Sequence, residues 1–257
     1  MNKTKIYPKK SLGQHYLTDE KISRSIADSF KIEQEDHVIE IGPGQGAITG
    51  FILEKTANLS VIEIDKNNCE ILEAKFPNLH IINEDILNYG FDTNGKITEK
   101  KLRIIGNIPY NITTEIIFRL IDHRKSILDA QLMIQEEVAL RLAGKPNSKE
   151  YGIPSVFIQV FSEPELRFKV SSSSFYPKPK VDSRIIYFDF TKNIESKIKD
   201  IEFFRKFVKS AFGQRRKTMR NSLKKLELDL GKVDFDYSRR AESLGVDEFI
   251  ELSNRFC

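Results

Sequence analysis

The sequence predicts an α/β fold: a parallel sheet with helices on both faces, followed by a small α-helical domain. Three observations carry this. Short apolar runs alternate with helix-period segments from residue 37 to residue 143. The first run ends in a triple-glycine turn, Gly42-Pro-Gly-Gln-Gly46. Beyond residue 200 the strand-like runs stop, and apolar anchors such as Phe203, Phe204, Phe207 and Val208 take helical spacing.

The elements follow in order. Ile22, Ile26 and Phe30 mark a helix over 19–30, with Thr18 or Asp19 as its N-cap. His37–Ile41 is a strand that runs into the glycine turn, and a helix follows over 47–54. Residues 59–64 form a second strand, with a helix over 66–75. Residues 79–82 form a third, ending at Asn83-Glu84-Asp85. Residues 102–106 and 130–134 are the fourth and fifth strands, followed by helices over 114–121 and 136–143. After Tyr151 come a helix over 154–161 and two paired strands, 166–170 and 184–190. The Pro-containing loop between these strands is stiff, because proline fixes φ. The expected organisation is residues 1–190 as the sheet domain with a basic N-terminal arm, 191–200 as a linker and 201–257 as a small helical domain.

Composition bounds the function class. The chain of 257 residues is 40% hydrophobic and 30% charged, as in ordinary globular domains. No apolar run approaches the roughly 20 residues that span a bilayer, and no apolar region follows the basic N-terminus as a signal peptide requires. A cytoplasmic protein without a membrane partner is expected. Cys69 and Cys257 lie too far apart for a metal-ligand pair, so no metal site is expected. The net charge of +4 is unevenly placed. Residues 203–226 hold nine cations and no acid, and residues 1–12 hold four more, leaving the rest of the chain at −9. Solvated helix faces usually carry both signs. Two one-signed segments on an acidic body point to a polyanion such as nucleic acid.

The strand ends carry the chemistry, since ligands of such sheets bind beyond the C-terminal ends of the strands. Gly42, Gly44 and Gly46 allow close backbone approach to a ligand, although a tight strand-to-helix turn alone explains them equally well. Glu63, 21 residues after Gly42, is placed to accept from both hydroxyls of a ribose. Asp85 ends the next strand, where it can accept from an adenine amino group. Together these residues fit an adenosine cofactor. The loop offers no P-loop lysine, which favours S-adenosyl-L-methionine over NAD or ATP. Asn107-Ile108-Pro109-Tyr110 then closes the fourth strand. Its amide oxygen and a backbone carbonyl suit the two N–H groups of an exocyclic amine, and its aromatic ring suits the face of a base.

These motifs resemble a known family. Ser11–Leu17, Glu40–Thr49, Val61–Asp65, Asn107–Tyr110 and Phe175–Ser183 are together similar to the ribosomal RNA adenine N6,N6-dimethyltransferases, in order and over nearly the whole chain. The resemblance is nearest to the bacterial small-subunit members. It implies a Rossmann-like S-adenosylmethionine-dependent methyltransferase acting on N6 of two adjacent adenines, in a hairpin loop near the 3′ end of 16S rRNA in the 30S subunit or its precursor. It also implies that His15, Leu17, Gly42, Glu63, Asp85 and Asn107 line the cofactor pocket. Tyr110 would stack on one face of the target base and Phe175 on the other. Tyr16 stands where Phe is usual, and Ile108 where Leu is commoner.

Arg215, Arg216, Lys217, Arg220, Lys178 and Lys180 are the candidate RNA contacts, and a monomer is expected. Two other functions share these features. One is a 23S rRNA adenine methyltransferase of the antibiotic-resistance type. The other is a non-catalytic ribosome-assembly factor that kept the fold.

Overall fold

The computed structural model describes residues 8–91, 101–214 and 216–257. The chain divides into two compact units, Met1–Glu136 with Leu166–Phe190, and Glu137–Glu165 with Thr191–Cys257.

The strands are β1 (Tyr16–Leu17), β2 (Val38–Ile41), β3 (Leu59–Ile62), β4 (His80–Ile82), β5 (Leu102–Asn107), β6 (Ile127–Gln135), β7 (Glu163–Val170), β8 (Phe175–Tyr176) and β9 (Ser183–Asp189). Seven of them form one sheet in the order β4-β3-β2-β5-β6-β9-β7, while β1 and β8 make a separate antiparallel pair. β4 to β6 run parallel to one another. All four residues of β2 are buried, as expected of a strand covered on both faces. β9, whose direction the sequence reading left open, lies antiparallel to β6. Residues 171–182 bring the chain to it without a crossover helix, which is the connection a parallel strand would need.

The helices of this unit form where periodicity places them. α1 (Glu20–Ser29) is capped by Asp19, whose side chain accepts from the Lys21 and Ile22 N–H groups. α2 (Thr49–Leu53) is shorter than expected, because residues 44–48 stay in the glycine turn. α3 (Lys66–Lys75) is capped by Asp65, and α4 (Thr113–Asp122) buries Ile116, Ile117, Leu120 and Ile121 on one face.

The second unit is helical, with α6 (Ile153–Phe161), α7 (Ile201–Phe212), α8 (Met219–Ser222) and α9 (Val246–Asn254); α5 (Glu136–Leu142) leads into it. α7 buries Phe204, Phe207, Val208 and Ala211, the i, i+3, i+4, i+7 face of a helix. Phe157 meets Phe204 edge-on at 6.1 Å, and Phe212 stacks on Phe249 at 5.6 Å. The Tyr151 hydroxyl donates to the Leu244 carbonyl at 2.8 Å. The sequence-based boundary at residue 190 leaves residues 137–165 with the sheet, whereas contacts group them with the C-terminal helices. α6 is apolar on nearly all sides, and periodicity does not say which neighbour buries such a helix. Among the described residues no helix is long and apolar enough to cross a membrane.

Candidate active site

A cavity of about 440 Å³ opens in the first unit at the C-terminal ends of β2 to β5. The glycine turn, the residues after β3 and β4, the end of β5 and the segment 11–18 all line it. His15, Leu17, Gly42, Gly44, Glu63, Asp85, Asn107, Ile108, Pro109 and Tyr110 all fall on this wall. They come from five separate stretches of chain, and parallel topology gathers four of them because β2 to β5 end on the same side.

Gly42, Gly44 and Gly46 have φ of +65°, +56° and +77°, a region that L side chains rarely adopt. The turn lets the Gly44 N–H donate to Glu63 Oε2 at 3.1 Å. Glu63 also accepts from the Asp65 N–H at 2.9 Å and from Asn68 Nδ2 at 3.3 Å. Burial raises the Glu63 carboxyl above its ordinary range, against these three donors. Glu40, inside β2, is fully covered, and burial lifts its carboxyl to about 7. The Thr49 hydroxyl donates to it at 2.6 Å. Asp85 accepts from the Leu87 N–H at 2.9 Å, so one of its oxygens closes its own turn while the residue lines the cavity. Ile64, 48% exposed, and the buried Ile86 add apolar surface beside these acids.

Segment 9–16 is tied down by Asp65. Lys9 Nζ lies 2.7 Å from one Asp65 oxygen and Gln14 Nε2 2.9 Å from the other. The Tyr16 hydroxyl lies 2.8 Å from Gln14 Oε1 and 3.2 Å from Asn68 Oδ1. The hydroxyl at the position where Phe is usual is therefore part of this tie. Sequence reading singled out none of Gln14, Asp65 and Asn68. The available signal was the position of Asp65, directly before a helix and two residues after Glu63.

At the end of β5 the Ile108 N–H donates to the Met133 carbonyl at 3.0 Å. Asn107 Nδ2 donates to the His15 carbonyl at 3.1 Å, which fixes the amide and leaves Oδ1 as its acceptor end. Tyr110 stacks on the His15 ring at 5.8 Å and 27°, and its hydroxyl lies 2.8 Å from the buried Ser183 Oγ. His15 Nδ1 donates to the Pro177 carbonyl at 2.7 Å. Just before Asn107 stands Gly106, where a Cβ would sit 2.6 Å from the Ile41 carbonyl. Only glycine lets β5 come this close to the strand that feeds the glycine turn.

Phe175 is a correction. It is 5% exposed, packs in the core with Leu17, Ile26 and Val170, and is not among the described residues that line the cavity. The chain alternates there, so Phe175 points inward and its neighbour Tyr176 outward. Lys178 and Lys180 are exposed in the first unit. Arg216, Lys217 and Arg220 are exposed in the second. Lys3, Lys5 and Arg215 lie outside the described residues.

Five parallel strands with an antiparallel strand beside them, and a glycine turn opening on an acid-lined cavity, define a class: the Rossmann-like methyltransferases. The family model for ribosomal RNA adenine dimethylase matches residues 7–251. The chain is 44% identical over 250 residues to ribosomal RNA small subunit methyltransferase A of Chlorobium phaeobacteroides (strain BS1), covering 97% of this chain and 94% of that protein. To the protein of the same description from Flavobacterium johnsoniae it is 43% identical over 254 residues, covering 98% and 96%. A dimethyladenosine transferase from Plasmodium falciparum superposes with a TM-score of 0.78 at 25% identity, covering 92% of this chain and 95% of that one. The 23S rRNA methyltransferase ErmE shares the fold, with a TM-score of 0.74 at 22% identity and coverage of 94% and 99%. The chain belongs to the ribosomal RNA adenine dimethylase family, and it is an rRNA adenine dimethyltransferase.

Proposed function

We propose that this enzyme transfers methyl groups from S-adenosylmethionine to N6 of two adjacent adenines in a hairpin loop near the 3′ end of 16S rRNA. It acts as a cytoplasmic monomer on the 30S subunit or its precursor and contributes to small-subunit biogenesis. The observation that carries this reading is the Asn107–Tyr110 turn, set on the same cavity as the glycine turn, Glu63 and Asp85. Identities of 40–44% over nearly the whole chain to proteins described as small subunit methyltransferases favour the small subunit.

The cavity fits the cofactor. Glu40, Glu63 and Asp85 give it a carboxylate-rich wall, which suits a cationic sulfonium better than a pyrophosphate. Glu63 is positioned to hold the ribose, Asp85 the adenine amino group, and Ile64 with Ile86 the faces of its ring. The cofactor supplies an electrophilic methyl group. The protein must then make a poor nucleophile reactive, because the N6 lone pair is delocalised into the purine. Asn107 Oδ1 and the Ile108 carbonyl accept from N6, favour its tetrahedral form and stabilise positive charge developing on it, and the proton that N6 sheds after transfer goes to water. Tyr110 holds the extruded base by stacking. Its own orientation is held by Ser183 and His15. Lys178, Lys180, Arg216, Lys217 and Arg220 supply phosphate contacts, with Arg215 beside them in sequence.

Labelled S-adenosylmethionine incubated with unmethylated 30S subunits, 50S subunits and duplex DNA tests the reading. N6,N6-dimethyladenosine in 16S rRNA alone is the expected result. Label in 23S rRNA overturns the choice of substrate, and no label on any of them favours an assembly factor.

A further inference from the structure

The loop between β7 and β9 sorts its side chains sharply. Phe175, Pro179 and Ser183 are buried, while Tyr176, Lys178, Lys180 and Val181 are exposed. Tyr176 is 62% exposed, the most exposed of the four large apolar side chains that stand out at the surface among the described residues, and Val181 is another. A single exposed apolar residue is unremarkable in a folded protein. An aromatic ring interleaved with lysines on a fastened loop is not explained that way.

The loop is fastened at both ends. Asp182 accepts from the Ser172 N–H at 2.9 Å and pairs with Lys169 at 2.9 Å. Lys169 also pairs with Glu136 at 2.8 Å. Midway along the loop the Pro177 carbonyl accepts from His15. The Ser183 hydroxyl meets Tyr110. Tyr176 is also tied to the cavity through the β1–β8 pair, where it faces Tyr16 across the ladder. Paired residues of an antiparallel ladder have Cα atoms about 5 Å apart, and Tyr16 lines the cavity. The exposed ring therefore stands on the strand paired with a wall of the cavity, one residue from the carbonyl that positions His15 against Tyr110.

We infer that Tyr176, flanked by Lys178 and Lys180, is a second stacking platform, which holds the nucleotide adjacent to the one in the cavity. The occupant is single-stranded RNA. The ring takes a base face without regard to its sequence, as aromatic platforms do, and the lysines meet the phosphates on either side. Fixing the platform in advance reduces the ordering cost of binding. This rests on the reading that the substrate carries two neighbouring adenines: when one is extruded into the cavity, its partner loses a stacking neighbour, and Tyr176 replaces it.

The test is a cycle of protein and RNA changes, with methyl transfer read on wild-type RNA and on RNAs made abasic at the position before or after the target adenine. Tyr176→Ala is expected to lower kcat/KM for RNA about tenfold, with KM for S-adenosylmethionine unchanged. Tyr176→Phe is expected to match the wild type. One of the abasic RNAs should depress the wild-type enzyme by the same factor, and Tyr176→Ala no further. Melting curves of the three proteins should coincide, because the ring is exposed. If the protein and RNA changes multiply, or if Tyr176→Ala methylates at the wild-type rate, the platform is refuted while the assigned reaction stands. A wild-type enzyme that methylates no adenine would overturn the reaction itself and the platform with it.

Discussion

Arg103, at the start of β5, and Glu40 and Glu63, at the ends of β2 and β3, are all buried charged residues in one sheet, and they are treated in opposite ways. Arg103 makes five hydrogen bonds: Nε and Nη2 to the two Asp129 oxygens at 2.9 and 2.6 Å, Nη1 to Asp36 at 2.7 Å, and one each to the Phe30 and Lys31 carbonyls at 3.0 Å. The Phe30 ring lies 4.4 Å beneath the guanidinium, and Tyr187 donates to Asp129 at 2.9 Å. Five N–H groups meet five acceptors. At the opposite strand ends, Glu40 and Glu63 accept only from hydroxyl, amide and backbone N–H donors. Neither has an ion pair among the described residues. Charge closed on itself fastens α1 to the sheet, while carboxyls raised by burial and without a counter-ion stand ready for a ligand to answer. A burial count alone would not separate these two ends; the partners do.

The largest effect is expected from breaking the closed end. Arg103→Met leaves Asp129 buried without its cation and should cost about 3–5 kcal/mol, read as a lower urea midpoint, and little of the variant should fold at 37 °C. At the open end the loss should fall on rate. Asn107→Ala removes one of the two acceptors proposed for N6 and is expected to lower kcat by about 10²–10³, with a urea midpoint close to wild type. A variant that unfolds instead would place Asn107 with the structural residues.

Glu40 sharpens the comparison through pH. Its carboxyl, ordinarily at 4.5, is held at about 7 by burial. Between these values the folded chain keeps a proton that the unfolded chain has lost, so this group lowers stability as pH rises through that window. Glu40→Gln should therefore stabilise the fold by up to about 3 kcal/mol at pH 8 and scarcely at pH 4. Equal gains at both values would mean that the carboxyl titrates normally. The smallest effect belongs to the tie over the cavity. Asp65→Asn keeps a good helix cap but loses the Lys9 pair. KM for S-adenosylmethionine should rise about tenfold, roughly 1.4 kcal/mol, with kcat unchanged and faster trypsin cleavage after Lys9.

Much of this was legible in the chain. The alternation of apolar runs with helical spacing gave the strands and their order along the sequence, because buried parallel strands and their covering helices have different periods. The glycine turn, Glu63, Asp85 and Asn107–Tyr110 were legible because parallel strands deliver their ends to one side. What was not legible depended on partners distant in sequence. Nothing near Arg103 announces Asp129 or Asp36. The period-2 pattern of residues 183–189 does not give a direction, so the antiparallel β9 could not be read. Phe175 and Tyr176 are adjacent aromatics, and sequence alone did not say which of the two faces inward.

Gly106 decides how much this enzyme can vary. With a hydrogen in place of a side chain, two strands touch backbone to backbone between the glycine turn and Asn107. Larger residues at 106 would push the halves of the cavity apart together, so neither half can be retuned without the other. Variation in this chain is then expected to accumulate around the rim of the cavity and on the outer loops, with the seam between its halves fixed in every working descendant.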